Sequence, residues 1–568
     1  MQLAERAWTF VVARQPWSVL APLLVVQWLA LLGLALSVGH NGWFYYQGGD
    51  ETFYFTGAHL ISDWTLPLTP VGYAWTYLIT PVALLTGPTA LSGLAPVILV
   101  NTLVLLPVAL LCVYGIATRL AGRVFGYWAA ALWIAVPYAA IPLFDDRYHQ
   151  KYVEIALPQQ LGLTILADFP SMVALLLTAY LIVRTIDTGE WRDAALAGLV
   201  GGFAIGIKPS NSLFFGAAVL ALLLAKRWRE TAVFLGLVAP SLVVLALWKE
   251  RGLGQIPAFS YGGGGGKLAA IGSGLPAASV FGPIHKYVNL DWHQLHQNLD
   301  GLREFFWAVR PLEFVPFAGL LAIGRRSWPK AVLVFVWFAT FLVVKGTNER
   351  ATIENASLFR LLMPSFPAFL LLLAALPLLV PVFRLTRRVL VPSATAPRRF
   401  GNRLLGASAA LLTAVPLVIV AATSPLKGAA AVTNPDQGVY IPVGSSFRLS
   451  AAPLGTSERL TWEAPYSGST NVFYVVLRSR PSFPDPSNPE QRTVKDGVSC
   501  ARRSADASVD CRLFMTRVGV TRAHSFVDRP PPGRWTYRVA LSANWADDPK
   551  LGDMLLLSRP LNVRIRTP

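Results

Sequence analysis

Apolar residues in this chain fall in blocks of about 20, separated by short polar segments, as far as about residue 424. A block of that length crosses a hydrocarbon core of about 30 Å as an α-helix. Alternating sides gives about eleven predicted spans, near 17–38, 94–118, 125–144, 167–184, 194–207, 211–225, 231–248, 305–324, 329–345, 359–382 and 404–423. Between about 67 and 93 the chain is apolar but broken by Pro67, Pro70 and Pro81, which predicts helices on the membrane surface rather than a clean span. Beyond 424 the pattern changes to short alternating stretches between Pro, Gly and Ser clusters: "SSFRLSAA", "RLTWEA", "NVFYVVLRS", "WTYRVALSA" and "LNVRIRT". Alternation of period two at this spacing predicts an all-β sandwich. The expected architecture is a polytopic α-helical membrane domain over 1–424, followed by an extracytoplasmic β-sandwich domain over 425–568.

Composition agrees with this division: 54% of the 568 residues are hydrophobic and only 14% are charged. The formal charge of +18 points to topology rather than to nucleic acid. Much of it sits in short loops, at Arg119 and Arg123, at Lys226, Arg227 and Arg229, at Arg325, Arg326 and Lys330, and from Arg384 to Arg403. Such loops stay on the cytoplasmic side. With an odd number of spans, the N-terminus is then cytoplasmic and the C-terminal domain outside. The first apolar run is too long for a signal-peptide core and reads as a retained helix. Arg in excess of Lys, with abundant Ala, suggests a bacterial plasma membrane as the location. Cys112 lies inside an apolar block and reads as a packing residue. Cys500 and Cys511, in the polar C-terminal region, are spaced to close a short loop by a disulfide outside the cytoplasm.

Ionisable groups at the outer ends of the predicted spans are the candidate chemistry, because such groups are costly wherever they approach the apolar region. They are Asp50 and Glu51 in "GGDETFYF", Asp145 and Asp146 in "FDDRYHQKYVEIALPQQ", Asp168, Lys208 in "GFAIGIKPSN", and Arg360 in "ASLFRLLMPSFPAFLLLL". The order of these motifs over roughly residues 1 to 425 resembles the glycosyltransferases of the C-type (GT-C) fold. That superfamily includes protein O-mannosyltransferases and the aminoarabinose transferases of lipid A. The resemblance lies in an acidic pair soon after the first span, a Lys-Pro at the end of a short helix, and an Arg before a Pro-punctuated helix. It implies transfer of a sugar from a polyprenyl-phosphate donor to a cell-envelope glycan, lipid or protein acceptor, with membrane lipids as further partners and no nucleic acid. On this reading Asp50, rather than Glu51, faces the cavity as general base, and Lys208 and Arg360 hold the donor phosphate.

Each residue also has a plainer reading. Asp50 fits a solvated loop, Glu51 the start of a helix, Lys208 and Arg360 interface anchors. Asp145 and Asp146 suit Mg²⁺ or Mn²⁺ through oxygen, and Asp168 is grouped with them as a substrate or metal contact. A salt-bridged turn with Arg147 and Lys151 is the simpler reading for the first two. "DWHQLHQ" reads as an amphipathic helix rather than a zinc site, and "YGGGGGK" lacks the spacing of a P-loop. A lipid or polysaccharide flippase and a non-catalytic envelope scaffold are the alternative functions.

Overall fold

The structure is a computed structural model. It describes residues 16–37, 50–62, 64–67, 71–86, 90–253, 290–305, 309–348, 351–353, 357–380, 407, 410–422, 424–425, 447–463, 472–479, 509–510, 515–543 and 554–565. The chain divides into two compact units. One comprises Met1–Gln47, Leu60–Leu85 and Gly93–Pro425; the other comprises Gly48–His59, Thr86–Ser92 and Leu426–Pro568.

The helices used below are α1 (Trp17–Ser37), α2 (Asp50–Ser62), α3 (Tyr73–Thr86), α4 (Ala90–Val100, continued by a π turn at Asn101–Leu105 and by Leu106–Ala121) and α5 (Arg123–Ala139). After these come α6 (Asp168–Thr188), α7 (Trp191–Ile207), α8 (Leu213–Leu224) and α9 (Trp228–Leu253). They are followed by α10 (Trp292–Phe305), α11 (Val315–Gly324), α12 (Trp328–Gly346) and α13 (Ser357–Leu362). Among the described residues six helices are long and apolar enough to cross a membrane: Trp17–Leu36, Gly93–Ala121, Asp168–Thr188, Trp228–Lys249, Trp328–Gly346 and Ser357–Leu379. They make this an integral membrane protein, but they do not reach the expected count of about eleven. The other expected segments hold shorter pieces, such as α5 and α7 with 17 residues each, α8 with 12 and α11 with 10. Proline fits the shortening of the expected span 305–324, since Pro316 sits in the first turn of α11, where a helix starts. In the Pro-broken stretch α3 has 14 residues, with Tyr73, Trp75, Ile79 and Ala83 buried.

Packing in the first unit fixes α6, the helix on which the candidate site is built. Asn101, buried in the π turn of α4, donates from Nδ2 to the carbonyls of Gly162 and Thr164, each at 3.0 Å. Trp75 Nε1 donates to the Ile165 carbonyl at 2.7 Å. Gly162 has φ +78°, and a Cβ there would meet the Phe169 ring at 2.8 Å, so only glycine lets this loop turn into α6. Gly206 near the end of α7 makes room for Tyr73, whose ring would lie 2.6 Å from an added Cβ.

In the second unit the strands are β1 (Leu449–Leu454), β2 (Ser457–Trp462), β3 (Val472–Ser479), β4 (Met515–Thr521), β5 (Ser525–Asp528), β6 (Gly533–Ala543), β7 (Met554–Leu557) and β8 (Leu561–Ile565). One antiparallel sheet has the order β1-β2-β5, and the larger has β7-β6-β3-β4, with β8 also paired to β6 and Val509–Asp510 beside β4. Leu449, Leu460 and Trp462 of the small sheet pack with Tyr474, Val476, Tyr537 and Val539 of the large one, so the core is that of two facing sheets. Trp462 and Tyr474 lie edge to face, with centroids 5.3 Å apart. Cys500 and Cys511 lie outside the described residues.

Candidate functional site

Asp168 opens α6 and is 1% exposed. A carboxylate in a first helical turn is favoured by the helix dipole, but by only about 0.3–1 kcal/mol when exposed. Burial at this depth demands closer partners, and two cations supply them. Lys208 Nζ donates to Oδ1, and Arg360 Nε donates to Oδ2 at 2.8 Å. Side-chain exposure rises across the three, from 1% for Asp168 through 11% for Lys208 to 29% for Arg360. The guanidinium is therefore the part of the cluster most open to a ligand.

The backbone around Lys208 explains how the ammonium is aimed. Lys208 ends α7 in extended conformation, and its N–H donates to the Ala204 carbonyl at 3.0 Å. Pro209 starts the short 3-10 turn Pro209–Ser212, where its missing N–H leaves no bond unmade. Asn211 locks this turn to both neighbouring helices. Its Nδ2 donates to the Ala204 carbonyl and lies near Ser171 Oγ, both at 2.7 Å, while Ser171 Oγ lies 3.0 Å from Asn211 Oδ1. Both residues are fully buried, so α6 and the Lys208 turn are held as one piece.

Lys345 is the member of the cluster that the sequence reading did not single out. It lies in the last turn of α12, is largely buried, and is within electrostatic reach of Lys208. The signal was a lone cation closing an apolar run, "FLVVKG". Asn211 and Ser171 gave no comparable signal, because small polar residues are frequent near helix ends. Among the described residues Lys208 and Arg360 bond Asp168, and Lys345 lies within electrostatic reach of Lys208. Cations gathered around a satisfied carboxylate suit an anionic ligand, and the planar Arg fork suits phosphate.

The remaining expected residues are placed as follows. Asp50 and Glu51 form the first turn of α2, in the segment that groups with the second unit. Glu51 is fully buried and Asp50 half-buried, so burial alone does not single out Asp50. Asp145 is exposed, and its carbonyl accepts from the N–H groups of Tyr148 at 2.8 Å and His149 at 2.7 Å, which starts the short helix Asp146–Lys151. Among the described residues no three His, Cys, Asp or Glu side chains gather as metal ligands. Both oxygens of Asp168 are engaged by cations, a poor fit to a divalent ion.

No protein-family model and no curated protein sequence matches the chain. Among solved structures, the chain is similar to the oligosaccharyltransferase of Archaeoglobus fulgidus in its apo form, at 15% identity and a TM-score of 0.38, over 72% of this chain and 56% of that one. The same enzyme with zinc and sulfate gives 15% identity and a TM-score of 0.35, over 71% and 53%. The archaeal oligosaccharyltransferase AglB from A. fulgidus with an inhibitory peptide and a dolichol-phosphate gives 13% and 0.34, over 72% and 56%. The chain thus spans a little over half the length of those proteins, and at these TM-scores the likeness decides nothing about its chemistry.

Proposed function

We propose that this protein is a membrane glycosyltransferase of the GT-C type that moves a sugar from a polyprenyl-phosphate donor to an acceptor hydroxyl outside the cytoplasm. The observation that carries the reading is the gathering of Lys208, Arg360 and Lys345 with Asp168 where α6 begins and where α7 and α12 end. The donor lipid lies in the bilayer, so its phosphate arrives at helix ends. Arg360 takes the phosphate through its guanidinium, and Lys208 adds a point charge behind it. Asp168 holds both cations in register, acting through them rather than on the sugar.

In the reaction the acceptor oxygen bonds to the anomeric carbon as the bond from that carbon to the phosphate oxygen breaks. The leaving phosphate gains negative charge, and preorganised cations at that position are commonly worth 10²–10³ in rate. Asp50 takes the acceptor proton as general base, a contribution of about 10²–10⁴. The test is transfer by the purified full chain from labelled polyprenyl-phosphate sugars, with and without EDTA. Wild type is expected to consume donor and Asp50→Asn to lose transfer while still binding the lipid. Donor that crosses the bilayer intact would instead mark a flippase. No binding of any such lipid defeats the proposal.

A further inference from the structure

The end of the helical unit away from Asp168 is defined by how α6, α7, α8, α9 and α12 pack. The start of α6 meets the end of α7 through Asp168 and Lys208, and the end of α6 meets the start of α12 through Asp187 and Lys330. Gly198 of α7 lies against the Phe234 carbonyl, and Gly202 against Ser241, so α7 and α9 run side by side in one direction. Arg227 Nη2 donates to the Ile186 carbonyl at 3.2 Å, which ties the turn between α8 and α9 to the end of α6. Exposed tryptophans open three helices at this level: Trp191 in α7, Trp228 in α9 and Trp328 in α12. Trp228 and Trp328 are also the first residues of two long apolar spans, at the depth where a hydrocarbon core gives way to headgroups.

Cations stand beside each ring. Arg192 lies over Trp191, 5.5 Å from the ring centre. Lys226 and Arg229 flank Trp228 in the chain and Arg326 precedes Trp328, and all of these cations are exposed. Of the acids at this end, Asp187 and Asp193 are engaged by Arg119, Lys330 and Arg184, and Glu190 and Glu230 are the others among the described residues. Segment 381–406 lies outside the described residues; the basic-loop pattern assigns it to the same side, and it contains no Asp or Glu. Topology accounts for cations at this end, but not for the backbone of Lys226. α8 closes with the Lys226 N–H on the Leu223 carbonyl and the Arg227 N–H on the Leu222 carbonyl, both at 2.9 Å. That pair of bonds needs a left-handed residue at 226, a place glycine usually takes. Lys226 holds it at φ +58°, whereas α6, ending at the same level, uses Gly189 at φ +66°. Glycine at 226 would close α8 with less strain, so folding does not account for the lysine. What glycine lacks is the ammonium.

We infer that the turn between α8 and α9, with Lys226, Trp228 and Arg229, is a headgroup site for an anionic phospholipid. The exposed ring lies among headgroups at the edge of the hydrocarbon, and the cations beside it meet the phosphate at the same depth. The Arg229 guanidinium can hold two phosphate oxygens, and Lys226 adds a point charge. A zwitterionic headgroup brings its own cation and gains less from the same contacts. The site stands at the opposite end of α6 from the Asp168 cluster and does not depend on the glycosyltransferase reading.

Native mass spectrometry of the full chain in neutral detergent, titrated with dioleoyl phosphatidylglycerol or dioleoyl phosphatidylcholine, tests this. Wild type is expected to bind the phosphatidylglycerol about ten-fold more tightly. Lys226→Gly combined with Arg229→Gln is expected to remove that preference and leave phosphatidylcholine binding unchanged. Lys226→Gly alone is expected to keep or raise the melting temperature, because it relieves the left-handed strain. A fall would assign the lysine to the fold and count against the site. The inference is overturned if wild type binds both lipids equally, if the double variant keeps the preference, or if a soluble Glu-rich peptide binds in place of the lipid. A preference lost in Arg360→Gln and kept in the double variant would put the lipid at the Asp168 cluster and overturn it equally.

Discussion

The two ends of α6 carry the same motif, a carboxylate held between two cations, and differ in what explains it. At the C-terminal end Asp187 meets Arg119 at 3.2 Å and Lys330 at 2.5 Å. At the N-terminal end Asp168 meets Lys208 and Arg360. At 1.5 Å per residue the two acids are about 30 Å apart, the thickness of a bilayer core. Retention of Lys and Arg on the cytoplasmic side accounts for cations at one end of such a helix only. Arg119, in the last turn of α4, and Lys330, in the first turn of α12, border the basic segments that the sequence reading places on the cytoplasmic side. The cations around Asp168 do not, and they surround an acid that is 1% exposed against 29% for Asp187. Groups buried at such cost in the absence of a topological reason are expected to have a ligand.

The largest effect that separates the ends is on stability. Asp168→Ala leaves the buried Lys208 and the half-buried Arg360 without their anion and is expected to cost about 3–5 kcal/mol. Asp187→Ala, at a more exposed site, is expected to cost about 1 kcal/mol or less. Thermal unfolding in one detergent orders the two, and equal losses would remove the distinction. Transfer activity comes next: Arg360→Ala is expected to lower the rate about 10²-fold, with Arg119→Ala at wild-type rate. Equal effects on the two ends would break the comparison. Asn211→Ala orphans part of a buried network and is expected to cost about 1–3 kcal/mol, with a smaller loss of donor affinity than Arg360→Ala.

The smallest effect concerns the second unit, where the half-buried Asp528 is held by several donors. Asp528 Oδ2 accepts from Tyr537 Oη at 2.6 Å and from Arg478 at 2.7 Å, and its Oδ1 accepts from the Arg529 N–H at 2.9 Å. Arg478 also stacks on Trp535, 4.6 Å from the ring centre. Burial, then the Asp528 carboxylate, raises the Tyr537 pKa above its ordinary value of 10.0. The neutral phenol is thus favoured in the fold. Its contribution to stability is full below pH 10 and is lost as pH rises through the folded pKa. Tyr537→Phe is expected to cost about 1 kcal/mol at pH 7 and to flatten the loss of stability above pH 10. An unchanged slope would show that Tyr537 carries none of it.

How much of this was legible in the sequence varies by element. Lys208 and Arg360 were visible as cations beside Pro at the ends of apolar runs, and Asp168 as an acid at the edge of one. Their pairing was not visible, since Asp168 and Arg360 are 192 residues apart. Lys345 was hidden because it looks like the flank of its own helix. The choice between Asp50 and Glu51 depends on how α2 is rotated, which packing decides and the local sequence does not. Six long apolar helices among the described residues fall short of the expected count of about eleven, and near Pro316 the expected span 305–324 holds the shorter helix α11. In the β unit the strands with clear alternation, such as β3 and β6, were found. β4, β5, with four residues, and β7, whose "MLLL" has no period, were not.

The most direct test of the cationic cluster as a lipid-phosphate site is phosphorus NMR of undecaprenyl phosphate titrated with the full chain in nanodiscs. Arg360→Gln and Arg119→Gln are compared with wild type at equal salt. Wild type and Arg119→Gln should bind alike, with affinity at least ten-fold lower for Arg360→Gln. Equal binding by all three, or none by wild type, would contradict a phosphate site at Arg360.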